Sequence, residues 1–238
     1  MHQFFADAKG NQNGFMSLEA SDAYHAMCVL RLKVKDIVSV SCESRLFLCE
    51  IISMNAGNVQ VEIIDRLPNT EPRVHITLYQ GLVNMDKMDF IIQKATELGV
   101  ACIAPVVMAR STVKLRPNSI DAKLKRWQKI AREAAKQSKR TIVPLVMSPC
   151  LLGQYQHNHD LCVVPWESVK EPSLHAVYQM YPNAVSIGVL IGPEGGIEAD
   201  EIRSSSFLPV TLGPRILRTE TAGLCTLSVL FALYGDLA

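Results

Sequence analysis

Hydrophobic and polar positions change their pattern near residue 70 of the chain. Before it, "DIVSVSC", "RLFLCEIISM" and "VQVEIIDRL" are short runs rich in Val, Ile and Leu, separated by the turn signals "ES" and "NAGN". These runs predict a β-meander of the kind found in small barrels. "SDAYHAMCVLRL" ahead of them predicts a short helix beginning at Ser21 or Asp22. The proline-bearing segment "RLPNTEP" is the best predicted domain boundary.

After this boundary, apolar strand-like runs alternate with helical periodicity. The predicted strands are "VHITLYQGL", "VACIAPVVM", "TIVPLVM", "DLCVVPW", "NAVSIGVLIG" and "FLPVTLG". "NAVSIGVLIG" is continuously apolar, as expected for a central parallel strand covered on both faces. The predicted helices are "MDKMDFIIQKATELG", "NSIDAKLKRWQKIAREAAKQSKR" and "TAGLCTLSVLFALYG". This alternation predicts an open α/β sheet.

Two of the helices have a clear apolar face. In the first, the apolar residues are Met88, Ile91, Ile92, Ala95 and Leu98, with Asn84 as the expected N-cap and Gly99 as its end. In the second, the inward residues are Ile120, Leu124, Trp127, Ala131 and Ala134. Both helices are therefore expected to pack one face on the sheet.

The composition fits a globular protein of one large or two modest domains. The chain has 238 residues, of which 48% are hydrophobic. No apolar run reaches the roughly 18–20 residues of a membrane helix, and "MHQFFADAKG" does not read as a signal peptide. The seven cysteines are scattered without a C-x-x-C pair, which favours reduced thiols over a disulfide framework. We therefore expect a cytoplasmic protein.

The charge is unevenly distributed although the formal net charge is only +1. Eleven basic residues and two acidic residues lie between Arg110 and Arg140. Such a concentration is typical of a surface that binds a polyanion. A solvated helix face is the alternative, and the sequence leaves both open.

Two glycine-bearing loops follow predicted strands, at "GPEGG" (192–196) and "LGPRILRTETAG" (212–223). Ligands of open α/β sheets bind beyond the carboxyl ends of the strands. Neither loop has the dinucleotide or the P-loop pattern. Glu194 would repel a phosphate, because like charges at ~4 Å cost roughly 4 kcal/mol near a protein surface. The first loop therefore favours a neutral or locally cationic ligand; a simple tight turn remains the alternative.

Taken together, "IGPEGG", "LGPRILRTETA", "IIQKATELGV" and "REAAKQSKR" resemble the RsmE family of 16S ribosomal RNA uracil-N(3) methyltransferases, in the SPOUT superfamily. The resemblance covers nearly the whole chain. It implies a PUA-like RNA-binding β-barrel domain over residues 1–70 and a SPOUT methyltransferase domain with a trefoil knot over residues 71–238. It also implies a homodimer, S-adenosylmethionine as methyl donor, and small-subunit RNA, within a 30S particle, as partner. The chain departs from the family pattern at "MHQFF", Cys28 and Asn84.

The resemblance also implies where the donor binds. The main chain at the two loops would hold it, with cofactor contacts expected at Leu190, Gly192, Glu194, Gly195, Gly196, Leu212, Gly213, Ile216, Leu217 and Arg218. Glu194 either contacts the donor or caps the following helix, and the cap is slightly favoured.

Catalytic and RNA-binding residues are less clearly indicated. Methylation of N(3) of uracil requires loss of the ring proton, and the sequence does not identify the base. Glu220 is one candidate, and Arg218 would either stabilise the developing negative charge or bind a phosphate. An Arg218–Glu220 pair that fixes the loop is the alternative. The expected RNA contacts are His25, Arg31, Arg110, Lys114, Arg116, Gln137 and Arg140. The roles of Gln93, Lys94 and Glu97 stay open, between contacts to RNA or a dimer partner and a solvated helix face.

Three other functions compete with this interpretation. His157 and His159 suggest a metal site, but no third ligand is spaced with them, so no metal is expected. An α/β oxidoreductase or transferase using a nucleotide is disfavoured by the missing fingerprint. A non-catalytic RNA-binding ribosome-assembly factor would use the barrel and the basic helix equally well.

Overall fold

The computed structural model describes residues 1–6, 14–55, 57–113, 117–155 and 158–237. The chain forms two compact units. The N-terminal unit comprises Met1–Glu71 and Ala135–Ile142, and the C-terminal unit comprises Pro72–Ala134 and Val143–Ala238. The division at residues 71 and 72 lies within the segment "RLPNTEP", whereas the inclusion of residues 135–142 in the N-terminal unit has no signal in the hydrophobic pattern.

The N-terminal unit is built around a five-stranded sheet. Its elements are β1 (Gln3–Phe5), β2 (Phe15–Ser17), α1 (Ala20–Tyr24), a π-helical turn (His25–Val29), β3 (Ile37–Cys42), β4 (Arg45–Asn55) and β5 (Asn58–Leu67), with strand order β1-β3-β4-β5-β2. Strands β3, β4 and β5 form the predicted antiparallel meander. The sheet is open, and an isolated antiparallel bridge pairs Ala6 with Leu18, which directly follow the two edge strands.

Residues 135–142 are held in the N-terminal unit by polar contacts. The backbone carbonyl of Arg140 accepts a hydrogen bond from Gln3 Nε2 at 2.6 Å, and that of Thr141 accepts one from Ser41 Oγ at 2.7 Å. Lys136 forms an ion pair with the fully buried Asp22 at 2.6 Å. Buried polar groups with such partners fix one arrangement of this segment.

The C-terminal unit is a parallel α/β sheet. Its strands are β6 (His75–Gly81), β7 (Cys102–Val107), β8 (Leu145–Val146), β9 (Cys150–Leu151), β10 (Leu161–Pro165), β11 (Ser186–Ile191) and β12 (Leu208–Val210). Its helices are α2 (Met85–Leu98), α3 (Ile120–Gln137), whose last three residues count with the N-terminal unit, α4 (Leu174–Met180), α5 (Ala199–Arg203) and α6 (Thr219–Leu233). The strand order is β12-β10-β11-β6-β7-β8, all pairs are parallel, and β9 also pairs with β7. The predicted open α/β sheet is confirmed.

Helix α2 forms as the sequence predicts. The side chain of Asn84 accepts a hydrogen bond from the backbone N–H of Lys87 at 3.0 Å, and Gly99 ends the helix with a φ of 112°. Thr96 is buried on the apolar face beside Ala95, while Leu98 is only partly buried. The Thr96 hydroxyl is tolerated there because it donates to the Ile92 carbonyl at 2.7 Å.

Strand β11 explains the continuous apolar run in the sequence. Ile187 and Val189 belong to the main hydrophobic core, which α2 and α6 cover, whereas Leu190 belongs to a second core with Tyr79 and Phe207. Both faces of the strand are therefore buried, so alternation with polar residues is lost. Among the described residues, no helix has the length and apolarity needed to span a membrane.

The sheet has a topological switch point between β6 and β11, because later strands are added on opposite sides of this pair. Strands β7 and β8 lie beyond β6, and strands β10 and β12 lie beyond β11. A crevice for ligands is expected at the carboxyl ends of two such strands. These ends are in close contact: a Cβ on Gly81 would lie 2.6 Å from the backbone nitrogen of Pro193. Glycine is therefore required at the end of β6.

Candidate active site

A cavity of about 490 Å³ lies beyond the carboxyl ends of β10 and β11. Its lining residues are Lys87, Pro165, Glu167, Ile191, Gly192, Pro193, Glu194, Gly195, Gly196, Ile197, Ile216, Leu217, Arg218, Thr219 and Ala222. A smaller cavity of about 120 Å³ shares part of this lining and extends along residues 211–217. The combined space has the size of a small-molecule site.

A buried hydrogen-bond chain joins the walls of the larger cavity. Thr219, the first residue of α6, donates from Oγ1 to the Gly192 carbonyl at 2.6 Å. Gln80, at the end of β6 and fully buried, donates from Nε2 to Thr219 Oγ1 and to the Gly81 carbonyl, both at 3.0 Å. The chain fixes the loop after β11 against the start of α6. Neither Thr219 nor Gln80 was predicted as a site residue from the sequence. A glutamine inside an apolar strand nevertheless indicates a buried polar contact.

Glycines let the main chain line the cavity. Gly196 and Gly213 have φ values of 78° and 98°, in the left-handed region that favours glycine. At Gly195, an added Cβ would lie 2.9 Å from the carbonyl oxygen of Arg110. In "GPEGG", Gly195 therefore has no room for a larger side chain, and Gly196 holds a backbone conformation that other residues rarely adopt.

Lys87 is the central charge at the rim of the cavity. Its Nζ lies 3.1 Å from Glu194 Oε1 and 3.7 Å from Glu220 Oε2. Glu220 Oε2 is buried and accepts no hydrogen bond from the described residues. Lys87 comes from the first turn of α2, Glu194 from the loop after β11 and Glu220 from the first turn of α6. Three elements thus contribute to one charged cluster. Its two carboxylates were expected at the site from the sequence, whereas its cation, Lys87, was not.

The interpretation of Glu194 as a helix cap is wrong. Helix α5 begins at Ala199, with Glu198 at its N-cap position. The carboxylate that accepts at this helix start is Glu201, from the backbone N–H groups of Glu198 at 3.1 Å and Ala109 at 2.9 Å. Glu194 instead pairs with Lys87 at the cavity.

Most of the expected cofactor residues surround one space. The larger cavity is lined by Gly192, Glu194, Gly195, Gly196, Ile216, Leu217 and Arg218, and the smaller one by Leu212, Gly213, Ile216 and Leu217. Leu190 is an exception, since it is fully buried in the second core and lines neither cavity. Its side chain is excluded because it points to the opposite face of β11 from Ile191.

The two expected catalytic residues both lie at the start of α6. Arg218 is the residue before the helix, is exposed and lines the larger cavity. Glu220 has Lys87 as its ion-pair partner. The Arg218–Glu220 pair considered as an alternative is replaced by this contact.

The expected RNA contacts are scattered over both units. In the N-terminal unit, His25 is half-buried, and Arg31 and Gln137 are exposed. Arg110 is exposed in the C-terminal unit, where its Nη1 donates to the Gly195 carbonyl at 3.3 Å and its Nε lies 3.6 Å from Glu198. Lys114 and Arg116 lie outside the described residues.

Arg140 requires a correction. Its side chain is 4% exposed, and its Nε and Nη2 donate to Glu71 Oε2 at 3.1 and 2.6 Å. The other oxygen of Glu71 accepts from the backbone N–H groups of Thr141 and Ile142. A buried, ion-paired guanidinium has no open face for a phosphate, so Arg140 is a structural residue of the N-terminal unit and the predicted RNA contact is not supported.

No group of three metal-ligating side chains occurs within the described ranges. His159 instead hydrogen-bonds to Tyr79 at 2.9 Å and to Ser186 at 2.7 Å, while His157 lies outside the described residues. On α2, Lys94 pairs with Glu97 at 2.9 Å and Gln93 is exposed. The roles of these α2 residues remain untested predictions.

Comparison with known proteins identifies the family. The family model of the RNA methyltransferase domain matches residues 70–231. The chain is 35% identical to the ribosomal RNA small subunit methyltransferase E of Bacillus subtilis, over 90% of this chain and 88% of that protein. The chain belongs to the ribosomal RNA small subunit methyltransferase E family. Another member, from Aquifex aeolicus, is 30% identical over 97% of this chain and 99% of that protein.

A solved structure of the family supports the same assignment. The ribosomal RNA small subunit methyltransferase E from Neisseria gonorrhoeae, bound to S-adenosyl methionine, is 28% identical with a TM-score of 0.86. The match covers all of both chains. The resemblance stated from the four sequence motifs is therefore confirmed at the level of the family and of the α/β fold with its parallel sheet.

Proposed function

We propose that this member of the family transfers a methyl group from S-adenosylmethionine to N(3) of a uridine in small-subunit (16S) ribosomal RNA. The observation that carries the proposal is the cavity of about 490 Å³ beyond β10 and β11, which two glycine-bearing loops and the start of α6 enclose. Family membership supports the activity on small-subunit ribosomal RNA.

The residues of the cavity fit S-adenosylmethionine. Open space surrounds the Cβ position of Gly213, with no atom within 4 Å, and residues 211–217 line the smaller cavity, where we place the adenine. The larger cavity is lined by two cations, Lys87 and Arg218, and by two carboxylates, Glu167 and Glu194. Glu220, which pairs with Lys87, adds a third carboxylate behind this lining. This balance suits a cationic sulfonium and disfavours a polyphosphate. When bound, the donor supplies an electrophilic methyl group and leaves as S-adenosylhomocysteine.

Two side chains at the start of α6 have the chemistry that uracil methylation requires. Glu220 carries a buried oxygen that accepts no hydrogen bond from the described residues, so we assign it as acceptor of the uracil N(3) proton. The exposed guanidinium of Arg218 would stabilise the negative charge that develops on the uracil ring. Lys87 would hold the Glu220 carboxylate in place.

We propose RNA-binding residues in each of the two units. Lys125 and Lys129 are exposed on α3, and Tyr24 is 64% exposed beside His25. We assign residues 1–70 as a PUA-like barrel, supported by the bridge between the residues that follow its edge strands. We assign residues 71–238, apart from the segment 135–142 that packs in the N-terminal unit, as a SPOUT domain with a trefoil knot. His25, Arg31, Arg110, Lys114, Arg116 and Gln137 remain proposed RNA contacts.

A homodimer is part of the proposal. Phe90 on α2 is 44% exposed, Val229 on α6 is 36% exposed, and Ile216 at the cavity is 87% exposed. Helices α2 and α6 lie in contact, so these apolar side chains offer a surface for a second copy. We also propose that the substrate is a 30S particle and that the protein is located in the cytoplasm.

The decisive experiment uses S-adenosylmethionine with a labelled methyl group. The protein is incubated with small ribosomal subunits, or with naked 16S RNA, from cells that lack this modification, and the RNA is digested to nucleosides. Labelled 3-methyluridine is expected. Tight RNA binding with no transfer of the labelled methyl group to the RNA would support the non-catalytic assembly factor. Binding of a dinucleotide or ATP, with no affinity for S-adenosylhomocysteine, would support a nucleotide-using enzyme.

A further inference from the structure

The charged cluster of Lys87, Glu194 and Glu220 is more than a structural ion pair. Two carboxylates share one ammonium group, with side chains that are 27%, 31% and 18% exposed. The formal net charge of the cluster is therefore negative. Lys87 and Glu194 line the larger cavity together with one further cation, Arg218, and one further carboxylate, Glu167, so the lining itself is balanced in charge. The excess negative charge lies on Glu220, behind Lys87.

We propose that the cluster is a specificity determinant that favours the cationic methyl donor over its neutral product, S-adenosylhomocysteine. The inference rests on the proposed function, because it requires that the cavity hold the donor. The donor and the product differ by one methyl group and one positive charge. A negative cluster at the wall attracts the sulfonium but has no net charge to attract in the thioether. The cluster therefore helps exchange product for fresh donor.

The size of the cavity sets the strength of this effect. A sphere of about 490 Å³ is about 10 Å across, so a sulfonium anywhere inside lies within roughly that distance of the cluster. The Debye length at physiological salt is about 8 Å, which leaves the interaction incompletely screened. For one unit charge at about 10 Å and an effective dielectric constant of about 40, chosen because the cluster is partly exposed, the preference changes about fourfold without screening. Screening reduces the change to about threefold at about 10 mM salt, where the Debye length is about 30 Å, and to about 1.5-fold at physiological salt.

Charge variants predict shifts of opposite sign. At about 10 mM salt, Glu194→Gln removes one negative charge, so the ratio of the product Kd to the donor Kd should fall about threefold. Under the same conditions Lys87→Met removes the cation, so the ratio should rise about threefold. Lys87→Arg keeps the charge and is the matched control, with an unchanged ratio. The methyl group contributes equally to the ratio in every variant.

The experiment is titration calorimetry of wild type and variants with S-adenosylmethionine and S-adenosylhomocysteine separately, without RNA. The affinity for the neutral product also reports whether the cavity survives each substitution. Should Lys87→Met fail to fold, the wild-type protein gives a second measurement: raising the salt concentration from about 50 to 500 mM should lower the ratio because the Debye length shrinks.

The outcomes separate the two proposals. A wild-type protein that binds neither compound would overturn the proposed function. Binding of both compounds with one ratio across wild type and variants, and with no dependence on salt, would overturn the charge-based preference alone. Opposite shifts in the Glu194 and Lys87 variants would support it.

Discussion

Thr219→Val tests whether one buried hydroxyl holds the donor cavity together. Thr219 Oγ1 donates to the Gly192 carbonyl at 2.6 Å and accepts from Gln80 Nε2 at 3.0 Å. Valine has nearly the same shape, so the substitution removes these two hydrogen bonds with little change in packing. Because Gly192 begins the "GPEGG" loop, the loss should loosen the cavity wall.

The expected magnitude follows from the two lost bonds. Each neutral hydrogen bond contributes about 0.5–1.5 kcal/mol, and groups left unsatisfied in a buried site cost more. Gln80 Nε2 keeps the Gly81 carbonyl as acceptor, so the free energy of unfolding should fall by about 2 kcal/mol. Ordering the backbone of one residue costs about 1–2 kcal/mol, so a loosened loop should bind S-adenosylhomocysteine about tenfold more weakly.

Calorimetry with S-adenosylhomocysteine and urea unfolding measure the two effects. Thr226→Val is the matched control, because Thr226 is also buried in α6 but donates only to the Ala222 carbonyl, at 2.8 Å, within its own helix. It should bind the product within about twofold of wild type. Equal affinities of the two valine variants would refute the reasoning that the Gln80–Thr219–Gly192 chain organises the cavity.

Three further predictions concern packing, an ion pair and the RNA surface. Gly81→Ala places a Cβ 2.6 Å from a backbone nitrogen of the donor loop, so urea unfolding should show a loss of about 1–3 kcal/mol and calorimetry a weaker affinity for S-adenosylhomocysteine. Arg140→Ala leaves the Glu71 carboxylate buried without its cation, so urea unfolding should show a loss of about 3–5 kcal/mol. Replacing the exposed Lys125 and Lys129 together by Ala should reduce the slope of log K against log salt for RNA binding by about 1.4–1.8.

Each of these predictions has a result that contradicts it. Gly153→Ala is the control for Gly81, since its added Cβ meets no atom within 4 Å, and equal behaviour of the two alanine variants would refute the close approach. If the Arg140→Ala protein were as stable as wild type but bound RNA more weakly, Arg140 would be an RNA contact and not a structural residue. An unchanged salt slope in the double lysine variant would show that Lys125 and Lys129 are solvated and do not contact RNA phosphates.

The fold was predictable where periodicity extends over many residues. The meander of β3 to β5, the parallel sheet and helices α2, α3 and α6 all follow from apolar patterns longer than five residues. Strands β1 and β2 have three residues each, and α5 has five, which is too short for a period to be visible. Their formation depends on partners that are distant in sequence, as when Gln3 pairs with Ser39.

The candidate site was predictable in its two loops, including the side chains of Glu194, Arg218 and Glu220. Glycines at strand ends identify these loops because the requirement for glycine is local. The partners that join the loops were not predictable, as Gln80 lies in β6 and bonds to Thr219 at a distance of 139 positions in sequence. A count of basic residues treats every cation as solvated, whereas the ion pair of Arg140 with Glu71 depends on burial that only the fold creates.

The effect of Glu194 on ligand binding can be inferred only in part from the neighbouring sequence. Considered without its neighbours, an acidic side chain in "GPEGG" disfavours a phosphate ligand. Whether the same acid attracts a sulfonium depends on its neighbours, and its cation, Lys87, lies 107 positions away in sequence. Had Lys87 neutralised Glu194 alone, the pair would have carried no net charge; Glu220 at 3.7 Å makes the cluster negative. The ligand preference of this loop is therefore a property of three elements of the fold, and a relative that keeps the glutamate but lacks either partner should discriminate differently between donor and product.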